Sequence, residues 1–184
     1  MKITEYTIQI RSRLLINTYR KWIKKNSRVL DAGCGNGVLS EILKRELNIK
    51  VTCCDIENYL KKDLPFVLMD NKSKLPFADN SFDVVMFNDC LHHTSYDNQK
   101  KLLKEAFRIS NKVVLFEDEQ NFIETIIDWG INKFHNRNMP IILTFRKPVQ
   151  WMALFDSLKL KYKYEKVKKP LLYPLIHEAF CLYK

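Results

Sequence analysis

Three of the four glycines in this chain fall within five positions, in the segment Asp31-Ala32-Gly33-Cys34-Gly35-Asn36-Gly37. The segment follows a short apolar run at 29–31 and precedes a helical pattern that begins near Val38. Glycine lets a backbone turn tightly, adopt positive φ and approach a ligand closely. The N-terminus of the following helix offers unpaired N–H groups to that ligand. The spacing therefore predicts a ligand-binding loop between a strand and its helix.

This loop differs from the one that holds the pyrophosphate of a nicotinamide dinucleotide. A dinucleotide loop has the pattern GxGxxG, but Val38 occupies the sixth position here, and the acidic residue Asp31 precedes the first glycine. A carboxylate at that place would repel a pyrophosphate, whereas it would suit a ligand that carries an ammonium and a sulfonium group.

Acidic and amide side chains stand where three further apolar runs end. Asp55 ends the second run, Asp70 ends the third with Asn71 beside it, and Asn88 and Asp89 close the fourth. The carboxyl ends of strands in an open α/β sheet border the crevice in which ligands bind. We therefore expect these side chains to line one site with the glycine loop.

Two segments together resemble a known family. The first segment resembles motif I of the class I S-adenosylmethionine-dependent methyltransferases and reads Val29-Leu30-Asp31-Ala32-Gly33-Cys34-Gly35-Asn36-Gly37. The second resembles the small-molecule branch of that family, which includes the ubiquinone and menaquinone methyltransferases. It reads Leu75-Pro76-Phe77-Ala78-Asp79-Asn80-Ser81-Phe82-Asp83-Val84-Val85 and is followed by Leu91-His92-His93. The resemblance covers residues 28–118 well, and its specificity comes from the combination of the two segments.

The resemblance implies S-adenosylmethionine as the cofactor and assigns roles to matching positions. Asp31 and the loop backbone would hold the methionine part, Asp55 would accept both ribose hydroxyls, and Asp70 would accept from the adenine amino group. The implied cofactor-binding residues are Asp31, Gly33, Cys34, Gly35, Gly37, Asp55, Ile56, Asp70, Asn71 and Asn88. Because a sulfonium is already an activated electrophile, in-line methyl transfer would need mainly positioning and desolvation.

A general base is needed only when the acceptor must lose a proton early. His92 and His93 follow the fourth strand and are the first candidates, and Asp118 at the end of the fifth could orient an acceptor or a base. In this family such histidines are often structural, one packing under the cofactor and one capping a helix, so both interpretations stay open. His135 could line the acceptor pocket or lie on the surface.

Missing motifs narrow the acceptor class. Residues 88–91 are Asn-Asp-Cys-Leu, where amino-methylating nucleic-acid enzymes carry Asn/Asp-Pro-Pro-Tyr/Phe. The proline that precedes a cytosine C5 nucleophile is absent before Cys90, and so is the paired-glutamate loop of protein arginine methyltransferases. Residues 117–119 resemble the acidic metal ligands of the catechol type only faintly, so no metal site is expected. The expected acceptor is a small molecule, which could be apolar; the alternatives are a non-catalytic nucleotide-binding module and a nucleic-acid methyltransferase.

The formal net charge of +10 raises the question of RNA or an anionic membrane as a partner. Lysine greatly outnumbers arginine, and arginine is the better phosphate ligand, so solvated surface lysines explain the charge as well. The lysines of 159–169 would assist a weak membrane-surface contact, or they mark a half-exposed strand.

With no apolar stretch of about 20 residues and a polar N-terminus, we expect a cytoplasmic protein. The five cysteines have no zinc or redox spacing and are expected to be free, buried thiols.

The remaining pattern predicts the elements that position these groups. Apolar runs at 29–31, 51–55, 66–69, 82–87 and 113–117 alternate with helical segments at 39–47 and 99–109, as in βαβ units with a parallel sheet. Residues 4–25 predict one or two amphipathic helices. Later elements are a helix at 122–131, which could cover the acceptor, a loop at 139–140, and a helix from Pro148 to 158. Alternating segments at 158–167 and 177–183 predict a terminal antiparallel pair.

We therefore expect one Rossmann-like, doubly wound α/β domain over residues 1–184. Its mostly parallel, seven-stranded sheet would carry helices on both faces and the antiparallel pair at its C-terminal end. Residues 1–27 would form a helical segment, 28–118 the cofactor-binding core and 119–184 the acceptor side.

Overall fold

A seven-stranded sheet forms the centre of the computed structural model, which describes residues 3–118, 143–171, 173 and 175–184. The strands lie in the order β3-β2-β1-β4-β5-β7-β6. Neighbours from β3 to β5 pair in parallel, whereas β7 pairs antiparallel with both β5 and β6. The strands are β1 Arg28–Ala32, β2 Lys50–Asp55, β3 Phe66–Leu68, β4 Val84–Asn88, β5 Lys112–Asp118, β6 Lys161–Lys166 and β7 His177–Tyr183. This arrangement confirms the predicted fold class.

Helices cover both faces of the sheet, as predicted. The described helices are α1 Ile3–Tyr19, α2 Val38–Leu47, α3 Tyr96–Ile109 and α4 Pro148–Ser157. One apolar core joins α1 and α2 to the sheet face that carries Val114 and Phe116. The other joins α3 and α4 to the face that carries Val113 and Leu115. Because successive strand residues point to opposite faces, the continuous apolar run at 113–116 of β5 fills both cores.

Several predicted boundaries differ from the structure by a few residues, and two of these differences concern the strands beside the site and at the sheet edge. The fourth strand was expected at 82–87 but spans Val84–Asn88, because the Asp83 carboxylate accepts the backbone N–H of Arg28 at 2.7 Å and the ladder between β1 and β4 begins at Val29↔Val84. The first strand of the terminal pair was expected to begin at 158, whereas residues 158–160 follow α4 as a turn before β6; the second was expected at 177–183, where β7 lies. The expected features at Glu119, 122–131, His135 and 139–140 lie outside the described residues.

The lysines near the C-terminus lie on an edge strand. Lys161, Lys163 and Lys166 of β6 are exposed, and β6 is the outermost strand at its side of the sheet. Lysines on an edge discourage pairing with the strands of other molecules, so the edge position gives a structural explanation of this lysine cluster. None of the described helices is long and apolar enough to cross a membrane.

Candidate functional site

The glycine loop forms a tight bend at the carboxyl end of β1. Gly33, Gly35 and Gly37 all adopt positive φ, at 78°, 54° and 74°. The backbone N–H of Gly33 donates to the carbonyl of Cys54 on β2 at 2.8 Å, which ties the loop to the neighbouring strand. Gly37 then precedes α2 as its N-cap. The loop therefore directs the N-terminus of α2 toward the crevice at the carboxyl ends of β1 and β2.

The three glycines serve different purposes. A Cβ on Gly33 would lie 2.7 Å from the Cβ of Cys90, and a Cβ on Gly37 would lie 2.5 Å from Cδ1 of Leu60. Both positions are therefore closely packed by the protein itself. A Cβ on Gly35 would meet no heavy atom of the described residues within 4 Å. Gly35 thus borders open space in which a ligand can approach the backbone.

Asp55 faces this open backbone from the end of β2. Its Oδ2 accepts the N–H of Gly35 at 2.9 Å, and its Oδ1 accepts the N–H of Ile56 at 2.7 Å. Burial raises the pKa of Asp55 above its ordinary value, although the two backbone hydrogen bonds favour the charged form. Each carboxylate oxygen can accept a further hydrogen bond, so Asp55 can hold the loop and accept ligand hydroxyls together. Ile56 packs against the apolar core beside it.

Asp31 lies beneath the loop rather than in the open crevice, with 2% of the residue exposed. Its Oδ2 accepts from the Ser40 hydroxyl at 2.6 Å, and its Oδ1 accepts from Nδ2 of Asn88 at 3.1 Å. Burial raises the pKa of Asp31 to about 6 against these two hydrogen bonds, which lower it. Asp31 can therefore act on a bound cation through its charge, which is weakly screened in a buried position. The side chain of Asn88 was expected to face the crevice, but in the structure it points to Asp31 instead.

Asp70 and Asn71 occupy an exposed turn after β3. The strand ends at Leu68, so Asp70 follows it by two residues instead of ending it. Oδ1 of Asn71 accepts from both the N–H and the hydroxyl of Ser73 at 2.9 Å. These two residues therefore stand in solvent at the β3 side of the sheet.

The two adjacent histidines have different environments. His92 is 2% exposed, its Nδ1 lies 2.8 Å from Oε2 of Glu117, and its ring stacks on Phe145 with a centroid distance of 4.7 Å. Oε1 of Glu117 accepts the N–H groups of Cys90 and Leu91 at 3.2 and 2.9 Å. Glu117 therefore fixes the turn Leu91–His93 from below. His93 is exposed and is the histidine of the pair with access to solvent.

Removing Glu117 is expected to destabilise the fold, because two buried N–H groups and His92 would lose their acceptor. We expect Glu117→Ala to lower the free energy of unfolding by about 3 kcal/mol, and Glu117→Gln by only about 1 kcal/mol, since its amide oxygen can still accept both N–H groups. Urea denaturation followed by circular dichroism measures the difference. The exposed residue Glu57 offers a control in Glu57→Ala. Equal stability of the alanine variant and the unmodified chain would contradict this structural role.

Asp118 belongs to a buried ionic network that joins four elements. Its Oδ1 lies 2.5 Å from Nδ1 of His177 on β7, and Nε2 of His177 lies 2.7 Å from the Tyr173 hydroxyl. Oδ1 of Asp89 lies 3.8 Å from the same Nδ1, and Asp89 forms an ion pair with Arg11 of α1. The side chains of Asp118 and Asp89 are only 8% and 6% exposed. Asp118 thus faces β7 and not the open crevice.

Opposite charges balance this network. Burial alone would raise the pKa of Asp118, but the hydrogen bond and charge of His177 hold it below its ordinary value. Burial raises the pKa of Asp89 to about 7 against the opposing charge of Arg11. Asp89, Asp118 and His177 place one potential metal-ligand atom each within 4.8 Å of one another. Arg11 already supplies a positive charge to this cluster, so ion pairs explain why the two carboxylates and the histidine lie together.

The five cysteines, all among the described residues, are free thiols, as expected. Cys53, Cys54 and Cys181 are buried, whereas Cys34 and Cys90 are partly exposed. The Cys90 thiol donates to the carbonyl of Ala32 at 3.1 Å. Burial and then the charge of Glu117 raise the pKa of Cys90 well above its ordinary value. A protonated thiol is a poor nucleophile, which agrees with the absence of a Pro-Cys motif.

Sequence reasoning found the loop and its acidic neighbours but missed the residues that hold them. Ser40 had a local signal, because it lies in the first turn of the helix after the loop and can reach back to Asp31. No such signal marked Tyr19, Arg11 or His177, because each lies far along the chain from its partner, which is Asn88, Asp89 and Asp118 respectively.

The sequence of the chain matches a family described as "Methyltransferase domain" over residues 30–113. This range includes the glycine loop, Asp55 and the turn with His92. The match agrees with the resemblance inferred from the motifs, and it leaves the small-molecule branch open.

Two curated relatives share part of the sequence. Arginine-hydroxylase NDUFAF5, mitochondrial, of Mus musculus is 36% identical over 69 residues, which are 34% of this chain and 20% of that protein. The uncharacterized protein MJ1252 of Methanocaldococcus jannaschii is 28% identical over 152 residues, which are 78% of this chain and 57% of that protein. The chain therefore spans less than two thirds of the length of either relative.

The fold is shared with a solved methyltransferase from Burkholderia thailandensis. This is the 1,6-didemethyltoxoflavin-N1-methyltransferase, solved with bound 1,6-didemethyltoxoflavin and S-adenosylhomocysteine. The two chains superpose with a TM-score of 0.70 at 17% identity, and the match covers 97% of this chain and 80% of the other. At this identity, the likeness is one of fold.

Proposed function

We propose that the chain is a class I S-adenosylmethionine-dependent methyltransferase, in agreement with the methyltransferase-domain match over residues 30–113, and that it transfers the methyl group of S-adenosylmethionine to a small-molecule acceptor. The open backbone at Gly35, bordered by the Asp55 carboxylate, is the observation that carries this proposal. A nucleoside needs such an approach to the backbone together with an acceptor for its hydroxyls.

The residues of the crevice fit this cofactor. The backbone of Gly33–Gly37, with Cys34 at its apex, would hold the methionine part above the buried charge of Asp31. Asp55 would accept the ribose hydroxyls, and Ile56 would contact the adenine. Asp70 and Asn71 would meet the adenine edge from the β3 side, at a position open to solvent.

The cofactor supplies an electrophilic methyl group on a positively charged sulfur. The chain's own contribution is to orient the two reactants and to exclude water, which can account for a large part of the reduction in the barrier. His93 is the titratable group of the Leu91–His93 turn with solvent access, so it is the candidate base for an acceptor that must lose a proton. His92 and Asp118 are each engaged with another buried side chain, and we assign them positioning roles.

A small-molecule acceptor is favoured by the residues that follow β4. Residues 88–91 lack the prolines and aromatic residue of amino-methylating nucleic-acid enzymes, and the turn Leu91–His93 takes their place. The exposed lysines of β6 offer an RNA or an anionic membrane only a weak, unspecific attraction. Retention on an RNA or heparin column beyond moderate salt would favour a nucleic-acid acceptor instead.

Isothermal titration calorimetry tests the proposed function. We expect S-adenosylmethionine and S-adenosylhomocysteine to bind with dissociation constants in the micromolar range, which correspond to a binding free energy on the order of −8 kcal/mol. NADH should show no binding. Binding of NADH alone would indicate a dehydrogenase. If neither ligand binds, the chain is a non-catalytic module and the proposed function is wrong.

A further inference from the structure

Tyr19, near the end of α1, is linked to Asp31 through a single amide. Its ring is 0% exposed, and its hydroxyl donates to Oδ1 of Asn88 at 2.6 Å. Nδ2 of Asn88 in turn donates to Oδ1 of Asp31 at 3.1 Å, while Oδ2 of Asp31 accepts from Ser40 at 2.6 Å. All four residues are buried, so water does not compete readily for these hydrogen bonds.

The chemistry of the groups determines the direction of the chain. A charged carboxylate only accepts hydrogen bonds, so the amide nitrogen of Asn88 must face Asp31 and the amide oxygen must face Tyr19. Tyr19 therefore has to donate. Burial, followed by the charges of Asp31, Asp89 and Glu117, raises the pKa of Tyr19 well above its ordinary value, so the phenol keeps its proton at every physiological pH.

We propose that Tyr19 is a positioning residue of the cofactor site, which keeps the amide of Asn88 turned toward Asp31 and thereby favours the charged carboxylate that a cationic cofactor requires. This inference rests on the proposed function, since it assigns Asp31 to the cofactor. It adds α1, which precedes the glycine loop in the chain, to the elements that determine the affinity of that site.

Without the phenolic donor, the amide of Asn88 can rotate and present its oxygen to Asp31. An amide oxygen repels a carboxylate but accepts from a protonated carboxyl group, so rotation favours the neutral form of Asp31. The pKa of Asp31 already stands at about 6 because of burial, so a further rise brings it toward neutral pH. The charged fraction of a carboxyl group falls as pH drops through its pKa, and the loss of Tyr19 therefore weakens binding of a cation most strongly on the acid side.

Other ionisable groups surround Asp31 and remain unchanged in this comparison. They are Asp55, Cys53 and Cys54 on β2, Arg11 on α1, Cys34 in the glycine loop and Cys90 after β4. The role of Tyr19 is therefore measured by comparing the pH dependence of binding in the unmodified chain with that in a variant that lacks only the Tyr19 hydroxyl, since both proteins contain all of these groups.

Tyr19→Phe tests the inference, because it removes the hydroxyl and keeps the ring. We measure S-adenosylmethionine affinity by calorimetry from pH 5.5 to 8.5. The acid limb of the variant's affinity profile is expected to move up by about one pH unit. Because the pKa of Asp31 stands at about 6 in the unmodified chain, the variant should bind roughly twofold more weakly at pH 7 and roughly eightfold more weakly at pH 5.5. At pH 8.5 the two proteins should bind almost equally. Tyr162→Phe, a partly buried tyrosine of β6 in the opposite core, is the matched control.

Coupling to Asn88 provides a second measurement. If Tyr19 acts through the amide, Tyr19→Phe should cause no further loss of affinity in an Asn88→Ala background. Affinity that falls by the same factor at every pH, or that does not change, would overturn the inference.

Carboxyl carbon NMR of the ligand-free protein distinguishes failure of this inference from failure of the proposed function. The Asp31 resonance should titrate at higher pH in Tyr19→Phe than in the unmodified chain, whether or not any cofactor binds. If the chain binds no S-adenosylmethionine yet this shift occurs, the proposed function fails while the link from Tyr19 to Asp31 stands. An unchanged Asp31 titration would refute the link itself.

Discussion

Asp55→Asn is expected to weaken the binding of S-adenosylmethionine about 100-fold, or ~2.7 kcal/mol. The carboxylate holds the N–H of Gly35 with one oxygen and the N–H of Ile56 with the other. Asparagine can accept only one of these N–H groups, because its NH₂ group must face the other. The variant therefore loses the negative charge offered to the ribose and one of the two backbone hydrogen bonds.

Calorimetry under conditions in which the variant is folded gives the affinity, and thermal unfolding gives the stability. We expect the stability to fall by only about 1 kcal/mol, so the loss of binding should exceed the loss of stability. Asp156→Asn changes an exposed aspartate of α4 and should alter neither. Unchanged affinity in Asp55→Asn would remove Asp55 from the cofactor site.

Gly35→Ala is expected to abolish most ligand binding while the chain still folds, whereas Gly33→Ala is expected to destabilise the fold itself. The Cβ of Gly35→Ala meets no described heavy atom within 4 Å, and the backbone has a φ of 54°. An alanine there costs only about 1 kcal/mol of folding free energy, but its methyl group occupies the space through which the cofactor approaches the backbone. We expect a chain that folds and has lost at least about 100-fold in affinity.

Gly33→Ala meets a different environment, because its Cβ would stand 2.7 Å from the Cβ of Cys90. The clash adds to the strain of positive φ, so the free energy of unfolding should fall by about 3 kcal/mol or more. Urea denaturation of both variants, together with cofactor titration, measures the contrast. If Gly35→Ala binds S-adenosylmethionine as tightly as the unmodified chain, the open space at Gly35 is not the cofactor site.

Much of the fold follows from local pattern. Five apolar runs predicted β1 to β5, because a buried parallel strand is almost continuously apolar, and two alternating segments predicted the antiparallel pair β6 and β7. The helical segments between the strands showed their own period. The glycine loop was equally accessible, since positive φ and close approach select glycine at particular positions. Boundaries were less certain where a side chain replaced a backbone partner, as Asp83 does at the start of β4.

The roles of the carboxylates were less evident from the sequence. Asp31, Asp55 and Asp118 all stand at strand ends and look alike there, but Asp55 borders the open loop, Asp31 lies beneath it and Asp118 turns to β7. Which of these environments a carboxylate has depends on the helix or strand that packs over it, and that element can come from anywhere along the chain.

The sequence by itself determined the sheet and the loop that offers its backbone to a ligand, because each depends on residues within a few positions of one another. Only the tertiary structure decided which acidic groups are charged and where they point. The first helix supplies Arg11 to Asp89 and Tyr19 to the Asn88 amide that contacts Asp31, and the last strand supplies His177 to Asp118. Burial between such distant elements removes water from the carboxylates, and a group without water takes its charge and orientation from the few side chains that remain around it.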